Sequence, residues 1–254
     1  MYKILANTIF LGKDVLFLPE CHSTNDKAME LVRSGKAKEG SIVITDHQYR
    51  GKGQRGNLWL TQAGQNLTFS IVLHPRFLDV SEQFYLNMMV SNAILKVFQD
   101  YIPDLKVKWP NDLVVERKGK LGGILIENIV GSKGWEFAIV GIGLNINQME
   151  FSYPKAISLA QLTQNKFDLT ELFRLIVVAL EQSYIQLKKG KIPEIKTEYL
   201  RNLYLLEEWA KFSKGGEIFE GKITGVSKEG KLQIEHKSGE REEFGLKEVT
   251  FPEF

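Results

Sequence analysis

The 254-residue sequence has a single cysteine, Cys21, which excludes an internal disulfide and suits a reducing compartment such as the cytoplasm. Histidine is scarce as well. His22, His47, His74 and His236 stand apart, with neither one another nor the cysteine at zinc-ligand spacing, so no tightly bound metal is expected. Neither sign of charge dominates: 33 Lys and Arg stand against 31 Asp and Glu, for a net charge of +2 and a pI near 8.4. No dense basic stripe with interleaved aromatics is present, so nucleic acid is not an expected partner. Nothing approaches the roughly 20 consecutive apolar residues of a membrane helix. The run Ile4 to Leu11, broken by Asn7 and Thr8 and without a small-residue cleavage site, is expected to be a first strand rather than a signal peptide.

What is present is enough apolar material, 43% of residues, for a sizeable core. The pattern predicts one large domain over 1–207 and a small one over 208–254. Its focus is Lys106 to Glu127, where Trp109, Pro110, Asn111 and Asp112 set an aromatic plate, a stiff turn and two polar heads side by side. Eight residues on, Lys120 opens an apolar run whose Gly122 and Gly123 let a backbone or ligand come close.

Upstream, a strand over Val15 to Leu18 leads into Ser23, Thr24, Asn25 and Asp26 and then a helical pattern closed by Gly35. Two readings stand: a capping box on that helix, or polar side chains lining a pocket. Ser41 to Thr45 reads as a strand feeding Gly51, Gly53 and Gly56, which match G-x-G-x-x-G. A dinucleotide fold needs a helix next, but the chain continues through Leu58 to Leu60 and a Gly64 turn into Leu67 to Leu73, which reads as more sheet, so that reading fails. The loop carries Arg50, Lys52 and Arg55 and is either an anion cradle or a solvated hairpin. Ser81 is expected to cap a helix running to Pro103, Asp168 another from Leu169, and a further helix is expected from Pro193 towards Leu206. Gly141 and Gly143 interrupt a strand ending at Asn145, for close ligand approach or a bulge. From Ala210 onward, short strands alternate with glycine turns; two G-x-x-x-x-G-K matches there lack the following Ser or Thr and read as hairpins.

Taken together, Ser23-Thr-Asn25, Gly51-Lys-Gly-Gln-Arg-Gly56, Lys108-Trp-Pro-Asn-Asp112, Lys120-Leu-Gly-Gly-Ile124 and Gly141-Ile-Gly-Leu-Asn145 resemble the biotin protein ligases. The resemblance implies an α+β fold: a mixed sheet with flanking helices, as in class II aminoacyl-tRNA synthetases, followed by a small SH3-like β barrel. It implies ATP and biotin as substrates, with Mg accompanying ATP. Biotinyl-AMP forms first. Biotin then passes to a lysine of a biotin carboxyl carrier protein or domain, of acetyl-CoA carboxylase or another biotin-dependent carboxylase.

By the same resemblance Lys120 lies between carboxylate and phosphate, Lys52 and Arg55 come from a loop that closes over them, and Asp112 orients Lys120 or holds Mg through water. Ser23, Thr24 and Gln48 meet the ureido ring and Trp109 flanks the apolar tail. Asn25, Gly51, Lys52, Gly53, Gln54, Gly123, Gly141 and Gly143 complete the implied biotin site. The implied nucleotide site comprises Lys52, Arg55, Trp59, Asn111, Lys120 and Asn145. The loop departs from the family's arginine-rich form at Lys52, Gln54 and Asn57, which predicts a weaker hold on the adenylate. Some members add an N-terminal winged-helix repressor domain; here the pattern starts near Glu20, so a repressor role is not expected. The chain is expected to be a monomer or homodimer. Rival readings are a lipoate or octanoate ligase or transferase of related fold, a non-catalytic biotin sensor, and a nucleic-acid adaptor.

Overall fold

A computed structural model describes residues 2, 7–132, 134–153 and 155–252, with the Arg55 side chain outside that description. β1 (Val15–Cys21), α1 (Thr24–Arg33) and β2 (Ile42–Gln48) form a crossover, so β1 and β2 pair in parallel. β3 (Leu67–Leu73), β4 (Leu105–Lys108), β5 (Asp112–Val115), β6 (Gly119–Gly131) and β7 (Gly134–Leu144) join by antiparallel pairing, in the order β1-β2-β3-β7-β6-β5-β4. The arrangement is the expected α+β mixed sheet.

β3 is buried at every position because the sheet is covered on both faces at its centre. Ile42, Ile44, Phe69 and Ile71 point into the large core with α2 (Phe84–Phe98), α4 (Leu169–Lys188) and α5 (Ile192–Arg201); Phe69 meets Phe173 of α4 edge-on at 5.2 Å. Val43, Val72 and Ile139 point the other way, under Ala28 and Val32 of α1. A short α3 (Leu159–Thr163) follows β7. No helix among the described residues is long and apolar enough to cross a membrane.

β8 (Trp209–Lys214), β9 (Glu217–Val226), β10 (Leu232–His236) and β11 (Arg241–Phe244) make a second, antiparallel sheet, with turns at the predicted Gly215-Gly216, Gly230 and Gly239. Beyond β11 the chain returns to the far edge, where Ser213 and Thr250 exchange backbone hydrogen bonds at 2.8 and 3.0 Å, curling the sheet towards a barrel. Its inward residues Phe212, Ile223, Ile234 and Phe244 belong to the same continuous core.

Three expectations change. Residues 7–11 are not a strand, because Ile9, Phe10 and Leu11 aim successive N–H groups at the Glu181 carboxylate of α4 at 2.7–2.9 Å, a convergence that alternating strand geometry forbids; residues 3–6 lie outside the description. Ser81 does not cap α2, which starts after Gln83 without a side-chain cap and ends at Phe98, short of Pro103; the reciprocal box is that of Asp79 and Glu82, on a 3-10 turn just before the helix. The last helix stops at Arg201, and the left-handed backbone at Leu205 and Glu207 precludes its continuation to Leu206.

Candidate active site

On the face of the sheet shared with α1, beyond the apolar patch of Val43, Val72 and Ile139, side chains give way to glycine. Gly141 and Gly143, two residues apart on β7, face the same way, and pairing sets Ser70 and Leu125 beside the first, Thr68 and Gly123 beside the second. The trough so formed is occupied from above. A Cβ on Gly141 would stand 2.3 Å from Asn25 Oδ1, and one on Gly143 would stand 2.4 Å from the Trp59 ring. The irregularity in the β6–β7 pairing falls at Ile129/Val130, so these glycines serve close approach and not a bulge.

The N-terminus of α1 meets this trough through a buried polar network. Ser23 accepts from the Asp26 N–H as the cap, while Ser70 Oγ lies 2.6 Å from Asn25 Oδ1 and 2.7 Å from Thr24 Oγ1. Asn25 Nδ2 donates to Glu127 at 2.7 Å, and the Thr24 N–H donates to Gln48 Oε1 at 2.7 Å. Ser23, Thr24 and Asn25 are each 3% exposed, so their orientations are fixed by bonds already made. Capping and pocket lining are thus performed by one segment, which borders a cavity of about 260 Å³ together with Gln48, Trp109, Gly123, Gly141 and Gly143.

Lys120 reaches this cavity through a defect in register. Asp112 pairs with Gly123 and Leu113 with Gly122, but Val114 pairs with Lys120, so one residue of β6 is skipped. The skip turns the Lys120 side chain to the Asp112 side, where Nζ lies 2.6 Å from Asp112 Oδ1, while Leu121 stays fully buried. The Lys120 backbone is pinned from behind: its N–H donates to Lys155 O at 2.7 Å and its C=O accepts from the Ile157 N–H at 3.0 Å. Nζ also stands 5.8 Å from the centroid of the Trp59 ring. Lys108, opposite Asp112 on β4, has its pKa lowered, chiefly by burial and further by Lys155 and Lys120, with Asp112 opposing.

Asp112, Lys120, Trp59, Asn57 and Leu58 also border a second cavity of about 710 Å³, walled by Leu60, Thr61, Asn145, Gln148, Phe151 and Tyr153. The cation and acid therefore occupy the partition between two spaces. Of the residues expected around a nucleotide, Asn145 lines the second cavity, Trp59 and Lys120 both, and Lys52 and Asn111 the first. Asn111 also staples the turn to β6, donating from Nδ2 to Ile124 O at 2.5 Å. Among the described residues no three Asp, Glu, His or Cys side chains gather as a metal cage. Asp112 fits the needs of a Mg ion carried by phosphates, which keeps waters and takes one or two carboxylates.

The glycine-rich loop arches over the first cavity, with Lys52, Gly53 and Gln54 in its lining; Arg55 adds backbone to a 3-10 turn, its side chain outside the description. Gly51 sits behind the lining, where a Cβ would lie 2.2 Å from Trp59 O. Lys52 Nζ is 2.5 Å from Asp26 Oδ1, and this hydrogen bond holds the Lys52 pKa above its ordinary value. Sequence reasoning missed Leu246, Lys247, Val249 and Phe251, which close the cavity from the returning C-terminal segment. Their only signal was three apolar residues in a charged tail. Trp109 is the hinge-pin between the two sheets: 3% exposed, it walls the cavity and donates from Nε1 to Gly230 O at 2.9 Å.

This assembly has relatives. The sequence model of the Biotin/lipoate A/B protein ligase family matches residues 18–145. The bifunctional ligase/repressor BirA of Bacillus spizizenii is 26% identical over 238 residues, covering 91% of this chain and 72% of the relative. The biotin–[acetyl-CoA-carboxylase] ligase of Mycobacterium tuberculosis is 27% identical over 219 residues, covering 84% and 80% respectively. Among solved structures, the biotin protein ligase from Aquifex aeolicus in complex with biotin and ATP superposes with a TM-score of 0.77 at 25% identity, over 94% of this chain and 99% of that one. The matched span takes in over half of the chain and nearly the whole first sheet, from the Ser23 turn to Asn145, and the chain belongs to the biotin/lipoate A/B protein ligase family.

Proposed function

We infer that the chain is an ATP-dependent biotin protein ligase, which activates biotin as biotinyl-5′-AMP and passes it to a lysine of a biotin carboxyl carrier protein or domain. The observation that carries this is the Lys120–Asp112 pair on the partition between two cavities. A carboxylate attacking the α-phosphate brings two anions together, and a fixed cation at their meeting point offsets the repulsion as it grows. Lys120 is that cation, with Asp112 and the 155–157 backbone holding it in place. Asp112 would hold, through water, a Mg ion arriving with ATP, and that ion would supply further positive charge at the phosphates.

In this reading the ureido ring lies against Ser23, Thr24, Asn25 and Gln48, the apolar tail runs past Trp109, and the nucleotide occupies the second cavity beside Trp59 and Asn145. The polar end favours biotin over lipoate or octanoate, whose apolar groups offer no hydrogen bonds to the hydroxyls and amides that line it. Lys52, Gly53 and Gln54 roof the adenylate and exclude water. The carrier lysine then attacks the biotinyl carbonyl, an amide C–N bond forms, and AMP leaves with the acyl oxygen. Residues 1–207 form the catalytic domain, and 208–254 the β domain that supplies part of its wall. The single cysteine and absence of an apolar span among the described helices suit a cytoplasmic enzyme.

The test is mass spectrometry of a biotin carboxyl carrier domain after exposure to the protein, ATP, Mg and biotin, alongside ATP–pyrophosphate exchange with biotin, lipoate and octanoate. Biotinylation of one lysine, with exchange for biotin alone, is expected. Exchange driven by lipoate or octanoate instead would transfer the reading to that branch of the family, and exchange with no acid would end it.

A further inference from the structure

The reaction described above makes no use of Asp26. It stands in the first turn of α1, with Oδ1 2.5 Å from Lys52 Nζ and Oδ2 3.2 Å from His22 Nδ1. Around it the loop's root is stitched to the end of β1. The N–H groups of Tyr49 and Arg50 donate to Cys21 O and His22 O at 3.2 and 3.1 Å, and the His22 and Tyr49 rings meet edge-on at 5.6 Å. Beyond Lys52, the bonds described for residues 53–58, the Arg55 side chain apart, are local: Gly53 N–H to Asn57 O, and Lys52 paired with Leu58. Among the described residues, the Lys52 side chain is thus the outermost hydrogen-bonded tie between the loop and another element.

We propose that Asp26 is a positioning residue whose ion pair with Lys52 clasps the root of the glycine-rich loop over the first cavity and thereby prolongs retention of the bound adenylate. Retention of an adenylate rests on the reading of the chain as a biotin ligase; the clasp itself does not. Fastening the loop at Lys52 leaves only its tip to be ordered over the ligand, which lowers the entropic cost of closing the site. The opposite role is equally concrete: Asp26 could draw Lys52 away from the phosphate, and removing its charge would then tighten the hold. The two differ in sign.

The experiment compares the full-length wild type, Asp26→Asn and Asp26→Glu. In the ligand-free proteins, trypsin cleavage after Arg50, Lys52 and Arg55 is followed by mass spectrometry; cleavage about three- to fivefold faster in Asp26→Asn, and near wild type in Asp26→Glu, is expected for a partly exposed pair. In the loaded enzymes, release of biotinyl-AMP is expected to quicken by a similar factor in Asp26→Asn alone, with pyrophosphate exchange at saturating substrates within about twofold. Wild-type release should accelerate with added KCl and Asp26→Asn release much less so. Equal cleavage overturns the clasp. Slower or unchanged release in Asp26→Asn overturns its role in retention. A wild type that forms no adenylate defeats the ligase reading, and the cleavage comparison still decides the clasp.

Discussion

The floor and the roof of the first cavity are both rich in glycine, and Gly141 and Gly143 in the floor differ from Gly56 in the roof in the reason for it. Gly141 and Gly143 lie in a regular strand with no positive φ, and a Cβ on either would collide with a side chain at 2.3 or 2.4 Å. Gly56 in the roof has φ of +85° and nothing within 4 Å of where its Cβ would be. In the floor glycine makes room, as it does for Gly51 at the root of the loop; at Gly56 it permits a bend. The surrounding bonds follow the same division, since Thr24, Asn25, Ser70 and Gln48 are fixed to one another in the floor, whereas the described groups of residues 53–58 bond mainly among themselves. A rigid floor can reject a wrong acid before any chemistry begins, because buried groups left unpaired are costly. The roof has to admit two substrates and then exclude water, which a fixed wall cannot do.

Lys120, pinned between the two regions, gives the sharpest break. Lys120→Ala is expected to reduce biotin-dependent pyrophosphate exchange by about a hundred- to a thousandfold, the usual cost of losing one preorganised charge at a reacting centre. Exchange within fivefold of wild type would show that the Lys120–Asp112 pair is structural, and would revive the non-catalytic sensor as an alternative.

Floor and roof can then be set against each other by the same substitution. Gly141→Ala drives Asn25 from its bonds to Ser70 and Glu127, and should cost about 1–3 kcal/mol of stability with at least about tenfold in biotin affinity. Gly56→Ala should cost only the left-handed strain, roughly 1–2 kcal/mol, and leave biotin affinity within twofold. Denaturant titration and calorimetric binding of biotin measure both quantities. Equal losses of affinity in the two variants would erase the distinction.

The sequence disclosed those parts whose physics is local. β-branched strands, the Asp168 cap on α4 and the glycine turns of the second sheet each depend on neighbours a few residues away, and all were legible. So was the family resemblance carried by the five motifs, each a short run of neighbouring residues. What escaped depends on distant partners. Glu181 redirects Ile9, Phe10 and Leu11 across 170 residues of chain, and no periodicity near Ile9 announces it. Leu246, Val249 and Phe251 wall the cavity only because Thr250 pairs back onto Ser213. The skip that turns Lys120 towards Asp112 is a matter of register between two strands, which the glycines permit but do not specify.

The smallest effect tests the roof alone. Gln54 lines the first cavity where an arginine is common in the resembling family, and its amide offers neither charge nor a bidentate fork to the adenylate. Gln54→Arg should slow release of biotinyl-AMP by a few-fold and change biotin affinity by less than that, since the floor is unchanged. Release at equal or greater speed from the variant would mean that the loop's charge does not set retention. Combined with Asp26→Asn, the two effects act at the tip and at the root of one loop. If the root must be fastened before the tip can grip, the benefit of arginine shrinks in the absence of Asp26; if each acts alone, the logarithms of the rate changes add.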